Sequence, residues 1–319
     1  MRATIEEYYG VYPAFYACYD DEGNVSEERT RALARHFFEM RRGGTYDSGL
    51  TGLYVNGSSG ECIYLSVEER KKILEWVMDE VKQGAGKEMK VICHVACNNT
   101  RDSMELAAHA ESLGVDAIAA IPPIYFRLPD HAIAKYWNDI SSAAPNTDFV
   151  IYNIPQLAGV SLTVPLLKEM WKNENVIGVK NSSMPTQDIQ MFAYEVGAEG
   201  IIFNGPDEQF ISGLAIGAKG GIGGTYGSMP KLFIKMYDLL EKQGDVFSAQ
   251  PIQDDVNKII FKMCEAKGNL YAVIKEVLRI NGGPDIGSVR APLAELQEGD
   301  KAIAEEAAAM IRAAYEKYL

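Results

Sequence analysis

A (β/α)8 barrel with a C-terminal helical extension is the fold this sequence predicts, and three observations predict it. Short apolar segments alternate with stretches of amphipathic helical period from one end of the chain to the other. The apolar segments number eight, at residues 10–17, 53–56, 90–96, 117–121, 149–154, 176–180, 200–203 and 220–222. The 319 residues, 47% hydrophobic and 24% charged, suffice for one large core. Strict β-α alternation calls for parallel strands, and eight of them close into a barrel, with a doubly wound open sheet as the alternative.

The helices between the strands have start signals. Ser26-Glu27-Glu28 precedes the first, and Ser66 with Glu69 three positions on is a capping box for the second. Thr100-Arg101-Asp102, Asp130, Thr163-Val164-Pro165, Pro185, Asp207 and Pro230 open the others. Residues 1–242 are assigned to the barrel. Residues 243–319 carry helical patterns at 254–266, 270–280 and 301–318, joined by turn-rich stretches such as Asn281-Gly282-Gly283-Pro284. They are expected to pack on the barrel rather than to form a second catalytic domain.

Charge and cysteine usage exclude several functions. With 31 Lys+Arg against 44 Asp+Glu the net charge is -13, and binding a polyanion needs clustered cations that this chain lacks. Residues 1–10 contain no apolar leader, and no apolar run approaches the roughly 18 residues of a membrane span. The expectation is a soluble cytoplasmic protein with neither nucleic acid nor membrane as partner. Five scattered cysteines do not resemble a disulfide framework. Cys93 and Cys97, if both on one strand, stand about 13 Å apart, too far to share a zinc ion, and His94 points to the opposite face. No metal site is expected.

Barrel chemistry sits at the C-terminal ends of strands, where each apolar run turns polar. Lys180 closes Val176-Ile177-Gly178-Val179, and strict alternation puts Lys180, Gly178 and Val176 on one face. If that face is the interior, desolvation lowers the amine's pKa and frees it to attack a carbonyl; a lysine snorkelling to solvent is the plainer alternative. Tyr152 ends the preceding strand, within reach as a proton shuttle or simply as a core tyrosine. The turn Gly57-Ser58-Ser59-Gly60-Glu61 offers backbone N–H groups and two hydroxyls to a carboxylate, although any Gly/Ser turn looks similar. Asn204-Gly205-Pro206-Asp207-Glu208 offers acceptors for a polyol, or only acids for a helix's first turn. The glycines of 220–224 suit either a phosphate or close packing.

Jointly, the Gly57-Ser58-Ser59-Gly60-Glu61 turn, Tyr152-Asn153-Ile154-Pro155, Gly178-Val179-Lys180 and the glycine-rich eighth strand resemble the superfamily of N-acetylneuraminate lyases and dihydrodipicolinate synthases. The resemblance implies a Schiff-base barrel enzyme acting on pyruvate or 2-oxo acids without metal or organic cofactor. It implies that Lys180 forms the imine, that Tyr152 relays protons and that Ser58 and Ser59 bind the pyruvyl carboxylate. Tyr125 matches a tyrosine that dimers of the superfamily lend to the neighbouring subunit, so a homodimer or homotetramer is implied. Synthases carry an arginine shortly after the tyrosine-proline motif; this chain has Gln156-Leu157-Ala158-Gly159-Val160 and so resembles the sialic acid lyase branch. There, Gly205, Asp207 and Glu208 would hold the sugar's tail. Gly224 stands where lyases commonly have a serine, and Ser59 and Ser182 replace threonines. The implied reaction is cleavage of N-acetylneuraminate to pyruvate and N-acetylmannosamine. Another 2-oxo-acid aldolase, dehydratase or synthase is the alternative, and a non-catalytic sugar-acid sensor is disfavoured by the intact Lys180 and Tyr152.

Overall fold

The computed structural model describes residues 4–43, 48–84, 86 and 88–319. Eight parallel strands lie at Gly10–Pro13 (β1), Gly52–Val55 (β2), Lys90–His94 (β3), Ala117–Ala120 (β4), Asp148–Asn153 (β5), Val176–Asn181 (β6), Ile201–Asn204 (β7) and Gly220–Gly223 (β8). Neighbours run β1-β8-β7-β6-β5-β4-β3-β2. At the two ends of that order the Thr51 N–H donates to Val11 O and the Phe15 N–H to Tyr54 O, closing the barrel. All eight predicted strands are present; the first and third end early, at Pro13 and His94.

Strand alternation divides the core in two. Tyr12, Tyr54, Ile92, Ala119, Val150 and Phe203 fill the barrel, while Leu53, Val55, Cys93, Ile118, Ile151 and Val179 pack outward beneath the helices. This parity places His94 inside and its neighbour Cys93 outside. Below, the 3-10 turn Ile5–Tyr8 plugs the barrel, with the Tyr8 hydroxyl donating to Asp148 Oδ2 at 2.8 Å.

β6 breaks the alternation. Phe149 pairs with Val176 but Val150 pairs with Gly178, so Ile177 is the extra residue of a bulge. Val176 therefore packs in the outer core and Ile177 against the inner one. Strict alternation put Val176 on the Lys180 face; the inserted residue corrects that, and of Val176 and Gly178 the second alone shares the face. A Cβ on Gly178 would lie 1.9 Å from Ile201 O, so the strands can approach only at a glycine.

The outer helices are Glu27–Phe38 (α1), Val67–Gln83 (α2), Thr100–Leu113 (α3), Asp130–Ser142 (α4), the single turn Pro155–Ala158 (α5), Val164–Met170 (α6), Gln187–Val196 (α7), Phe210–Ala215 (α8) and Pro230–Gln243 (α9). Ser26, Ser66 and Thr163 cap as the sequence predicts, and Ser66 with Glu69 forms the capping box. Asp207 opens a 3-10 turn, Asp207–Gln209, which leads into α8. Three further helices follow: Val246–Met263 (α10), Leu270–Ile280 (α11) and Asp300–Tyr318 (α12). α10 starts eight residues before its predicted position at 254. Asp245 caps it through the Ser248 N–H, and Pro251 is absorbed within its second turn. No helix among the described residues is long and apolar enough to cross a membrane.

Candidate active site

Lys180 and Tyr152 are partners in the β5–β6 register, and both side chains enter the barrel mouth. Only 4% of Lys180 is exposed. Burial lowers the amine from the ordinary lysine range to about 7, against the attraction of Asp207 and the influence of Cys62. Its Nζ lies 4.0 Å from the ring centroid of Tyr152 and 4.0 Å from that of Tyr54. Burial raises the Tyr152 phenol, while hydrogen bonds with Ser58 and Ser182 work the other way.

These groups open into a cavity of about 320 Å3, within the size range of small-molecule sites. Ser58, Ser59 and Ser182 line it with Lys180 and Tyr152, and so do Gly205, Asp207, Glu208 and Gly224. The structure thus brings together nine of the ten site residues expected from the sequence. Tyr125 does not line this cavity; it stands 90% exposed, in the left-handed region at φ 85°.

Asp207, expected to be a polyol acceptor, has one of its two carboxylate oxygens engaged within the protein. Its carboxylate is buried, and Oδ2 accepts from the Thr225 N–H at 2.7 Å and the Thr225 hydroxyl at 2.6 Å. Desolvation raises it to about 7, more than the Thr225 hydrogen bonds lower it. One oxygen is committed to Thr225, which leaves Oδ1 and the exposed Glu208 for a ligand. From α10, Gln253 donates to Asp207 O at 3.0 Å and accepts from the Ile211 N–H, bracing this loop.

The serine turn is anchored from outside the barrel. Glu61, in the left-handed region at φ 53°, pairs with Lys275 of α11 at 2.7 Å, and the two side chains are 0% and 1% exposed. Glu61 Oε2 also accepts from the Tyr19 hydroxyl and the Arg290 N–H. One helical turn before Lys275, Tyr271 enters the cavity that Ser59 also lines.

Sequence reasoning missed Tyr54, His94, Thr225, Tyr271 and the Glu61–Lys275 pair. Tyr54 could have been found, since alternation within Leu53-Tyr54-Val55 turns it alone to the other face. His94 meets Tyr54 at a tilt, with ring centroids 6.4 Å apart, and Tyr152 edge to face at 6.0 Å; burial holds it well below the usual imidazole range. Nothing local marks Tyr271 or Lys275, which lie beyond the last strand. Among the described residues no group of three His, Cys, Asp or Glu could hold a metal ion.

Fold and site together define a (β/α)8 barrel built around a desolvated lysine amine, the class in which a strand-end amine meets a carbonyl compound. The chain belongs to the dihydrodipicolinate synthetase family, whose sequence model matches residues 7–312. It is 62% identical over 316 residues to an N-acetylneuraminate lyase of Mediterraneibacter gnavus, covering 99% of this chain and 96% of that protein. A solved catalytic-lysine mutant of the Ruminococcus gnavus sialic acid aldolase is 60% identical and superposes with a TM-score of 0.93 over 100% of both chains. CdNal from Clostridium difficile, solved in complex with mannosamine, is 30% identical with a TM-score of 0.85, covering 98% and 99% of the two chains.

Proposed function

We propose that the protein is a cytoplasmic class I aldolase that cleaves N-acetylneuraminate to pyruvate and N-acetylmannosamine. The observation that carries the reading is the desolvated Lys180 amine held against Tyr152 at the barrel mouth. The free amine adds to the C2 carbonyl, water leaves, and the resulting iminium is the electron sink. Tyr152 accepts the C4 hydroxyl proton while its own phenolic proton passes on by way of Ser58 to solvent, as the C3–C4 bond breaks and its electron pair enters the iminium, giving an enamine and free N-acetylmannosamine. Protonation at C3 and hydrolysis by water then release pyruvate and the amine. Ser58 and Ser59 bind the pyruvyl carboxylate in this reading.

The substrate class follows from charge. Leu157 lines the same cavity where a second substrate carboxylate would need a cation, while Glu208 and Asp207 offer acceptors to hydroxyls. A carboxylate beside Leu157 would forgo the charge-assisted pairing that a cation supplies, so aspartate semialdehyde is expected to be a poor substrate. Pyruvate release measured across N-acetylneuraminate, N-glycolylneuraminate, 2-keto-3-deoxygluconate and 4-hydroxy-2-oxoglutarate is expected to be fastest for a sialic acid. A wide margin for the short acids would assign the protein to another aldolase of the family. A Cβ on Gly224 would lie 3.0 Å from Ser59 Oγ. Gly224→Ser therefore crowds the carboxylate subsite, and it is expected to raise KM for every 2-oxo acid while shifting preference towards the sugar acid. An unchanged preference would show that residue 224 does not touch the sugar.

We also propose that the active form is a homodimer or a homotetramer in which Tyr125 serves the neighbouring site. Its strained backbone, its exposure and the exposed Phe126 beside it, 72% exposed with ring centroids 5.0 Å apart, support this. Tyr125→Phe is expected to cut turnover while leaving the thermal midpoint unchanged. Sedimentation showing a fully active monomer would overturn the assignment.

A further inference from the structure

Lys180 reaches from β6 across the barrel mouth to β2, where its Nζ meets the face of Tyr54 as closely as it meets Tyr152, 4.0 Å from each centroid. The two rings stand edge to face, 5.9 Å apart at 84°. Tyr54 is fully buried, yet its hydroxyl has no hydrogen-bond partner among the described residues. The contact of Tyr54 with the amine is made through its ring face. That face carries the negative end of the aromatic quadrupole, and its attraction for a cation grows as water is excluded.

The charge on the lysine nitrogen changes along the reaction. When the neutral amine bonds to C2 of a 2-oxo acid, the carbonyl oxygen leaves as water with one proton from nitrogen and one from solution. Nitrogen keeps its other proton and a positive charge until the C3–C4 electron pair neutralises it. We propose that Tyr54 is a catalytic residue whose ring face, with that of Tyr152, forms an aromatic clamp stabilising this cationic imine. The inference rests on the imine reading above and adds a residue to it.

The test compares two full-length variants of the same shape, Tyr54→Phe and one with pentafluorophenylalanine at position 54, whose ring quadrupole is reversed. Each variant is equilibrated with a series of pyruvate concentrations, the imine present is fixed by a brief borohydride quench, and the Lys180 adduct is quantified by mass spectrometry. At pH 8.5 the free amine is neutral and the adduct cationic, so the clamp favours the adduct. Tyr54→Phe is expected to match the parent, and the fluorinated ring to weaken the adduct about thirtyfold. At pH 6 the amine is already an ammonium that the same rings stabilise, so the two variants are expected to differ by less than about threefold. Asp207, Cys62, Tyr152 and His94 also face the nitrogen, and they are the same in both variants. Equal adduct affinity at pH 8.5, or an equal loss at both pH values, would overturn the clamp. A parent protein that pyruvate and borohydride leave unmodified would instead overturn the imine reading.

Discussion

Lys180→Arg is expected to abolish covalent trapping by pyruvate and borohydride and to lower turnover by at least about 10⁴-fold. A guanidinium stays protonated at any working pH and cannot form the imine. The parent lysine can because burial brings it to about 7. At pH 7 roughly half of such amines are free, against about one in three thousand at the ordinary lysine pKa. The sign of the shift fixes the pH profile. A lowered lysine pKa leaves the amine neutral above about 7, so kcat/KM is expected to fall about tenfold per pH unit only below that point. Asp207 rises to about 7 and interacts with Lys180, so the acid limb belongs to the pair. An acid limb near 10, or an adduct on another lysine, would refute the assignment.

Lys275→Met is expected to cost about 3–5 kcal/mol, because it leaves the Glu61 carboxylate buried without its cation. For a chain of this length that is a drop of roughly 4–8 °C in thermal midpoint. Glu61, itself in the left-handed region, ends the serine turn, so pyruvate KM is expected to rise at temperatures where the variant is still folded. The double variant Glu61→Gln with Lys275→Met removes both charges and is expected to regain much of the stability, since Gln can still accept from the Tyr19 hydroxyl and the Arg290 N–H. Calorimetry giving the double variant the sum of two independent losses would contradict the pairing.

The parts of this molecule that the sequence revealed are those whose signal is periodic. Every strand was legible, and so were Lys180 and Tyr152, because an apolar run that ends on a polar residue is visible locally. The β6 bulge was not, since Ile177 is as apolar as its neighbours and leaves the run unbroken while reversing its phase. Asp207 was legible as an acid near the mouth, but its commitment to Thr225 depends on how β7 and β8 lie together. Pro251 masked the first turns of α10, because a proline reads as a helix start and only the Asp245 cap shows that the helix has already begun. Tyr271 and Lys275 reach the site through tertiary packing of α11, for which no short segment carries a mark.

The anchoring of the serine turn also sets a timetable for synthesis. Glu61 is made early, whereas Lys275 lies 214 residues later and Arg290 lies 229 residues later. At ribosomal speeds of about 5–20 residues per second, the carboxylate waits roughly 10–40 s for its cation. In that interval a nascent barrel has its lysine, its tyrosines and its serines, but an acid in its wall that has nothing to neutralise it. A ribosome-bound chain stopped after β8 is therefore expected to be loosely closed and chaperone-dependent, and the pyruvate pocket to be born only as the last helices leave the exit tunnel.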